Sequence, residues 1–119
     1  MAKFVKYKGK IIVGLTEKIV IFGKDKRVFT AKVDTGATKS SIDSRLAARM
    51  QLGPVIKTKL VKSAHGNRLR PVIEAEVMIA EKKIKTEFTL ADRIHMKYRI
   101  LIGQNILKHG FIVDVSKKK

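Results

Sequence analysis

The chain has 119 residues, no cysteine, 45% hydrophobic residues, and 27 Lys and Arg against 10 Asp and Glu, a formal net charge of +17. A chain of this size suits one domain (1–119) with a real core, its dispersed apolar content excludes disorder, and the lack of cysteine excludes disulfides and thiolate metal sites. No apolar run approaches the roughly 20 residues of a membrane span, and the start MAKFVKYKGK lacks the apolar core of a signal peptide, so a cytoplasmic location and no membrane contact are expected.

In chain order, GKIIVGLTEKIVIFG (9–23) predicts two strands meeting near Gly14 to Glu17. KRVFTAKVDTG (26–36) predicts a strand alternating Val28, Thr30 and Lys32 against Phe29, Ala31 and Val33. In SSIDSRLAARMQLGP (40–54), Ser41 or Asp43 can cap a short helix that Gly53 and Pro54 end, with Ile42, Leu46 and Met50 on one face. Residues 56–80 read as a hairpin turning at AHGN, and KKIKTEFTLAD (82–92) as the next strand. YRILIGQNIL (98–107) predicts a buried strand, a glycine and a short helix, and GFIVDVS (110–116) a last strand. The expectation is an all-β domain with one or two short helices, in the size range of a small closed barrel. No repeat, linker or low-complexity segment interrupts it.

A field of +17 attracts polyanions, whether nucleic acid, anionic lipid or acidic polypeptide. Only SKKK at the C-terminus is a run of charge. Against that background one acid stands out, Asp34 in AKVDTGATKSSI (31–42), where a strand runs into Thr-Gly and a cluster of hydroxyls. Asp-Thr-Gly alone is an ordinary turn tripeptide. Its context adds the buried ILIG run and helix near the opposite end, with a Gly-containing hairpin between.

DTGA resembles the active-site loop of retropepsin-type aspartic peptidases, and ILIGQNIL resembles the strand and helix that brace it. More narrowly, DTGATKSS, VKSAHGNRLRPVI, LIGQNIL and FIVDVS are similar to the motifs of RimB-type retropepsin-like endopeptidases, catalogued as ATP-dependent zinc proteases, over roughly residues 10 to 116. The resemblance implies a retropepsin-like closed barrel with a flap hairpin, and a peptidase that cleaves glutamate-rich chains, some relatives working beside RimK-type ligases that add glutamates. It implies catalytic Asp34, Thr35 and Gly36. Substrate would lie along Ala37, Thr38 and Lys39 and under a flap tip of Ser63, Ala64, His65 and Gly66.

The chemistry explains the residue types. Hydrolysis without metal or covalent nucleophile needs one group to activate water and another to protonate the carbonyl. Two carboxylates about 3 Å apart share one proton and supply both. Thr35 would lock the loop across the pair, and Gly36 would let the substrate backbone come close. Asp25, Asp43, Asp92 and Asp114 precede neither Thr-Gly nor Ser-Gly, so a two-fold homodimer must supply the second carboxylate. Asp114 reads as a turn or ion-pair residue.

Where retroviral enzymes pair an Asp after the Ala with an Arg in the helix motif, this chain has Thr38 and Gln104, which predicts a neutral hydrogen bond instead. Lys39 replaces an acid and would favour acidic substrate side chains, unless it is a plain solvated lysine. His65, His95 and His109 are far apart with no His-Glu-x-x-His pattern, and no phosphate-loop spacing occurs, so neither zinc nor ATP is expected as a cofactor. Two rival readings are a basic β-barrel that binds nucleic acid and an inactive scaffold of the same fold. The few aromatic residues, five Phe and two Tyr, argue against the nucleic-acid reading.

Overall fold

A computed structural model of the chain describes residues 4–63 and 66–117. Ten strands and two short helices follow one another as β1 (Lys6–Tyr7), β2 (Lys10–Val13), β3 (Thr16–Phe22), β4 (Lys26–Val33), β5 (Ser40–Asp43), α1 (Ser44–Arg49), β6 (Val55–Ser63), β7 (Gly66–Ile79), β8 (Lys82–Ala91), β9 (Ile100–Ile102), α2 (Gln104–Leu107) and β10 (Phe111–Val113). The main sheet runs β3-β4-β9-β5-β8-β7, and β7 pairs back onto β3 with Ile19 opposite Ile79. The result is a closed six-stranded barrel. A smaller sheet, β1-β2-β10, holds β2 and β10 parallel.

Period-two alternation sets the inside of the barrel. On β3, Ile19 and Ile21 are fully buried, and on β4, Ala31 and Val33 are buried while Lys32 between them is exposed. Ile42, Ile73, Val77, Phe88, Ile100, Ile102 and Ile106 join them in a core in which β-branched aliphatics predominate. Such side chains favour strands and pack with few accessible rotamers.

The long strand β7 has two jobs. Its second half pairs with β8 from Val72↔Thr89 to Ile79↔Lys82 and closes the barrel, while its first half leaves the barrel to pair with β6. That projecting hairpin is the expected flap. Ser63 pairs with Gly66, whose φ of +111° suits glycine. The predicted tip residues Ala64 and His65 lie outside the described residues.

The segment 40–54 differs from expectation. Ser40–Asp43 forms a strand, clasped between β8 in parallel and β9 antiparallel, that runs straight into the helix Asp43 caps as expected. Ile42 is buried as expected but from β5, whereas Leu46 and Met50 are buried from α1 and its C-cap. Asp43 is the N-cap, accepting from the Leu46 N–H at 3.2 Å. The helix stops before Gly53: Gln51 turns left-handed at φ 57°, with Gln51 N–H bonded to the Ala48 carbonyl and Leu52 N–H to the Ala47 carbonyl.

Asp43 does more than cap. Fully buried, it also receives the Arg99 guanidinium at 2.7 Å and the Arg93 N–H at 2.8 Å, which ties the 92–99 segment to the β5–α1 corner. Burial pushes its carboxyl up, but the bonds from Arg99, Arg93 and Leu46 together outweigh that and hold it at about 2 against an ordinary 3.8. A folded pKa below the unfolded one gives stability that is present above 3.8 and lost as pH falls through about 2. Asp43→Asn should therefore cost about 3 kcal/mol at neutral pH, as for a half-broken buried ion pair. In urea titrations, the gap between wild type and variant should stay constant above about pH 5 and close on approach to pH 2.

Candidate active site

The strand that carries Asp34 is aimed by its neighbour. β4 runs parallel to β9 with Val33 opposite Ile102, and the Asp34 N–H donates to the Ile102 carbonyl at 2.9 Å. The chain then leaves the barrel as a tight loop. Asp34 Oδ1 accepts the Gly36 N–H at 2.9 Å and the Asp34 carbonyl accepts the Ala37 N–H at 3.3 Å, so the carboxylate is oriented by its own turn. Asp34 is half-buried, and Thr35, Gly36 and Thr38 are exposed.

Helix α2 holds this loop from behind. Gln104 N–H donates to the Ala37 carbonyl at 2.8 Å and Asn105 N–H to the Thr38 carbonyl at 3.2 Å. The Gln104 side chain donates to the Thr35 carbonyl at 2.7 Å. The neutral hydrogen bond expected between Thr38 and Gln104 is not what forms: the Gln104 amide goes to the Thr35 backbone carbonyl instead. Ser40 Oγ accepts the Gly103 N–H at 2.9 Å, and Ser40 donates both its N–H and its hydroxyl to Asn105 Oδ1 at 2.8 Å each.

The two glycines that border the loop differ in what they tolerate. A Cβ on Gly36 would meet Asp34 Oδ1 at 3.4 Å, an ordinary contact distance. A Cβ on Gly103 would lie 2.6 Å from the Lys39 carbonyl oxygen and 2.9 Å from that of Ala37, both backbone atoms that cannot swing aside.

In front of the loop lies a cleft of about 490 Å³, bounded by Gly36 to Lys39 on one side and by Lys59 to Lys62 and Arg70 of the hairpin on the other, with Ser41, Thr89 and Leu101 also lining it. The site residues expected at Gly36, Ala37, Thr38 and Lys39 thus come together, next to Asp34 and Thr35. Gly66 is exposed at the far end of the hairpin and does not line the cleft. Ser63 is placed only by its pairing with Gly66.

Lys39 is not a free cation. Its ammonium is 2.8 Å from Glu87 Oε1, and Lys57 of β6 is 3.0 Å from Glu87 Oε2. Hydrogen bonds from Lys39, then Lys57, hold Glu87 below the usual carboxylate range. Among the described residues, the cations that face the cleft without an acidic partner are instead Lys59, Lys62 and Arg70, of which sequence reasoning placed only Arg70, with Arg68, on the flap arm. They come to the Asp34 loop only through the folding of the β6–β7 hairpin against the barrel, which leaves no local trace in the sequence. Asp114 accepts from the Ser116 N–H and hydroxyl and is a turn residue, as expected. Among the described residues no three His, Cys, Asp or Glu side chains are grouped to hold a metal ion.

The comparisons with known proteins agree with this geometry. Residues 44–119 match the model of the RimB-like family, described as the retropepsin-like aspartic endopeptidase RimB, and the chain belongs to that family. A probable alpha-L-glutamate ligase of Desulfotalea psychrophila is 34% identical over 74 residues, 61% of this chain but only 16% of that protein, so the chain spans about a sixth of the relative it matches. Among solved structures, a Legionella pneumophila protein of unknown function superposes with a TM-score of 0.66 at 20% identity, covering 90% of this chain and 95% of that one. The inhibitor-bound EIAV protease gives 0.65 at 21% (87% and 92% covered), and the simian foamy virus protease 0.59 at 20% (78% and 91% covered). These likenesses show the retropepsin fold.

The packing around Gly103 makes a direct test of how α2 governs the loop. Gly103→Ala has no backbone conformation to resist, since φ is −104°, so its whole effect must come from the clash with Ala37 and Lys39. Overpacking of this kind should cost about 2 kcal/mol in urea unfolding and shift the amide resonances of residues 36–39. A variant with wild-type stability and an undisturbed loop would refute the bracing role.

Proposed function

We propose that residues 1–119 form one retropepsin-like domain and that two copies make an aspartic endopeptidase, with Asp34 of each chain in a shared catalytic pair. The observation that carries this reading is the half-buried Asp34 carboxylate, oriented by the Gly36 N–H beside a peptide-sized cleft. Within one chain Asp34 lacks a suitable second carboxylate. Asp43 is wholly buried, with its oxygens taken by Arg99, Arg93 and Leu46. A second copy supplies the missing group by symmetry.

In that pair one carboxylate is ionised and takes a proton from water as the water oxygen attacks the scissile carbonyl carbon. The other gives its proton to the carbonyl oxygen, so the intermediate is a neutral diol. Collapse transfers a proton to the amide nitrogen, the C–N bond breaks, and the pair returns to one shared proton. Asp34→Asn can neither accept from water nor share a proton. It should lower turnover at least about a thousandfold with unfolding unchanged. Specific activity of the wild type should also fall on dilution, in step with the monomer fraction in sedimentation; an active Asp34→Asn variant or a fully active monomer would overturn the mechanism.

The substrate we infer is an acidic polypeptide. Among the described residues, Lys59, Lys62 and Arg70 face the cleft without acidic partners, and a pair at its edge, Lys39 with Glu87, is joined by Lys57. The similar segment within a probable alpha-L-glutamate ligase supports the same reading, since a ligase of that name acts on glutamate, a carboxylate. Because Glu87 already balances Lys39, the discriminating cations are those of the hairpin. Cleavage of glutamate-rich peptides should weaken as salt rises from about 0.05 to about 0.5 M, while cleavage of neutral peptides of equal length should not. Equal salt response for both would assign the basic surface to another partner, with single-stranded nucleic acid the next to try.

A further inference from the structure

Both walls of the cleft are tied to one side chain of β8. Glu87 Oε1 takes the Lys39 ammonium at 2.8 Å from the loop side, and Oε2 takes the Lys57 ammonium at 3.0 Å from the root of the hairpin. The Glu87 carbonyl accepts from Asn105 Nδ2 at 2.9 Å, so the residue is also fixed to helix α2 behind the loop. Glu74, opposite it on β7, is drawn aside by Lys85 at 3.7 Å. The Glu87 side chain is 24% exposed and that of Lys39 30%, which sets this bridge apart from the loose pairs of the open surface.

The hairpin needs such a tie. From Gly66 to Pro71, β7 pairs with β6 alone, and only at Val72 does it begin to pair with β8, opposite Thr89. Among the described residues β6 has no ladder partner except β7, so the backbone holds the projecting arm through one strand. Lys57 stands opposite Val72, at the pivot itself. From that pivot to Gly66 the strand runs about 20 Å, so a tilt of about 10° at the root moves the far end by about 3–4 Å. A contact that adds little to global stability can therefore decide how wide the cleft stands.

We infer that Glu87 is a positioning residue, the clamp that sets the width of the cleft by holding the Asp34 loop and the root of the hairpin to one point of β8. It touches no reacting atom. Its effect on turnover rests on the peptidase reading, and the inference goes beyond that reading by assigning the shape of the cleft to a carboxylate outside the catalytic pair.

Glu87→Gln keeps the backbone bond to Asn105 and removes the charge that holds the two ammoniums. Field and geometry then predict opposite results. The cleft becomes more positive by one charge, so field alone would lower KM for a glutamate-rich peptide and leave a neutral peptide of equal length unchanged. A lost clamp should instead raise KM for both peptides by about tenfold, the size of one charge-assisted contact, with kcat lowered less. Lys57→Gln, a change at a half-exposed side chain that the fold tolerates, should do the same from the other end, while Lys57→Arg should keep the wild-type KM. Glu87→Gln and Lys57→Gln together should be no worse than either alone. A KM that falls for the acidic peptide only, or losses that add in the double variant, overturns the clamp.

Spin labels on Arg49→Cys and Asn67→Cys, in a chain with no other cysteine, read the hairpin without any substrate. Both positions are exposed and lie outside the cleft lining. With labelled chain diluted in excess unlabelled chain, the distance between them should broaden and shift by about 3–4 Å in Glu87→Gln and Lys57→Gln, and stay as in wild type in Lys57→Arg. That shift in a protein whose wild type cleaves neither peptide would remove the peptidase and leave the clamp. Cleavage with an unmoved distance and an unmoved KM would remove the clamp and leave the peptidase.

Discussion

The site depends on one buried amide. Asn105 makes all four hydrogen bonds that an amide side chain can make: Oδ1 accepts the N–H and hydroxyl of Ser40, and Nδ2 donates to Thr86 Oγ1 at 3.1 Å and to the Glu87 carbonyl at 2.9 Å. It thereby joins α2, the end of the Asp34 loop and the middle of β8 in one fully satisfied polar knot. Inside a barrel of aliphatic side chains, any other register of β5 would leave several of these groups unpaired at roughly 1–3 kcal/mol each. Specificity of register, more than raw stability, is what such a knot contributes. The loop that carries Asp34 is positioned because Ser40, at its far end, has one place to go.

That knot also explains which parts of the molecule could be read from the chain. The strands of the barrel were readable because alternation reports burial, as with Ala31 and Val33 against Lys32. The DTGA loop and its bracing helix were readable as motifs in the right order. Strand β5 was not, since Ser40 and Ser41 look like a polar lead-in to the helix that Asp43 caps, and all three are in fact buried by partners from distant segments. A hydroxyl or carboxylate is only as polar as its surroundings leave it, and those surroundings come from residues 60 or so positions away. The ion pair of Lys39 is illegible for the same reason, its neutralising partner Glu87 lying on β8. Arg70 stood visibly on the hairpin arm, but its unpaired Nε is a property of packing alone.

The excess of positive charge is distributed unevenly in its consequences. Most acids are spent on local pairs, such as Glu74 with Lys85, Glu76 with Lys83 and Glu81 with Lys6, all largely exposed and each worth little to stability. Net repulsion among the remaining cations opposes compaction. A chain that tolerates this load must offset it elsewhere, here in a dense aliphatic core, and the surplus then serves as a long-range field. Only in the cleft is that field joined to geometry, where the β6–β7 pairing sets Lys59 beside Arg70 and both beside the Asp34 loop.

This arrangement bears on how a shared site would work. In the proposed dimer, each chain must present its carboxylate already oriented, because a loop ordered only on association would charge its ordering entropy against the weak free energy of bringing two basic molecules together. Here the ordering is complete within one chain: Ile102, Gln104, Asn105 and Ser40 hold the loop from behind, and the Gly36 N–H fixes the carboxylate. The exposed Thr35 then has its backbone pinned by Gln104 while its hydroxyl stays available to a neighbour. An acidic substrate lying across both clefts would further offset the repulsion between the two chains, so that substrate and partner would each favour binding of the other. Preorganisation within the chain and charge complementarity across it are therefore two halves of one requirement, that a positively charged half-site meet its copy with nothing left to arrange but the water.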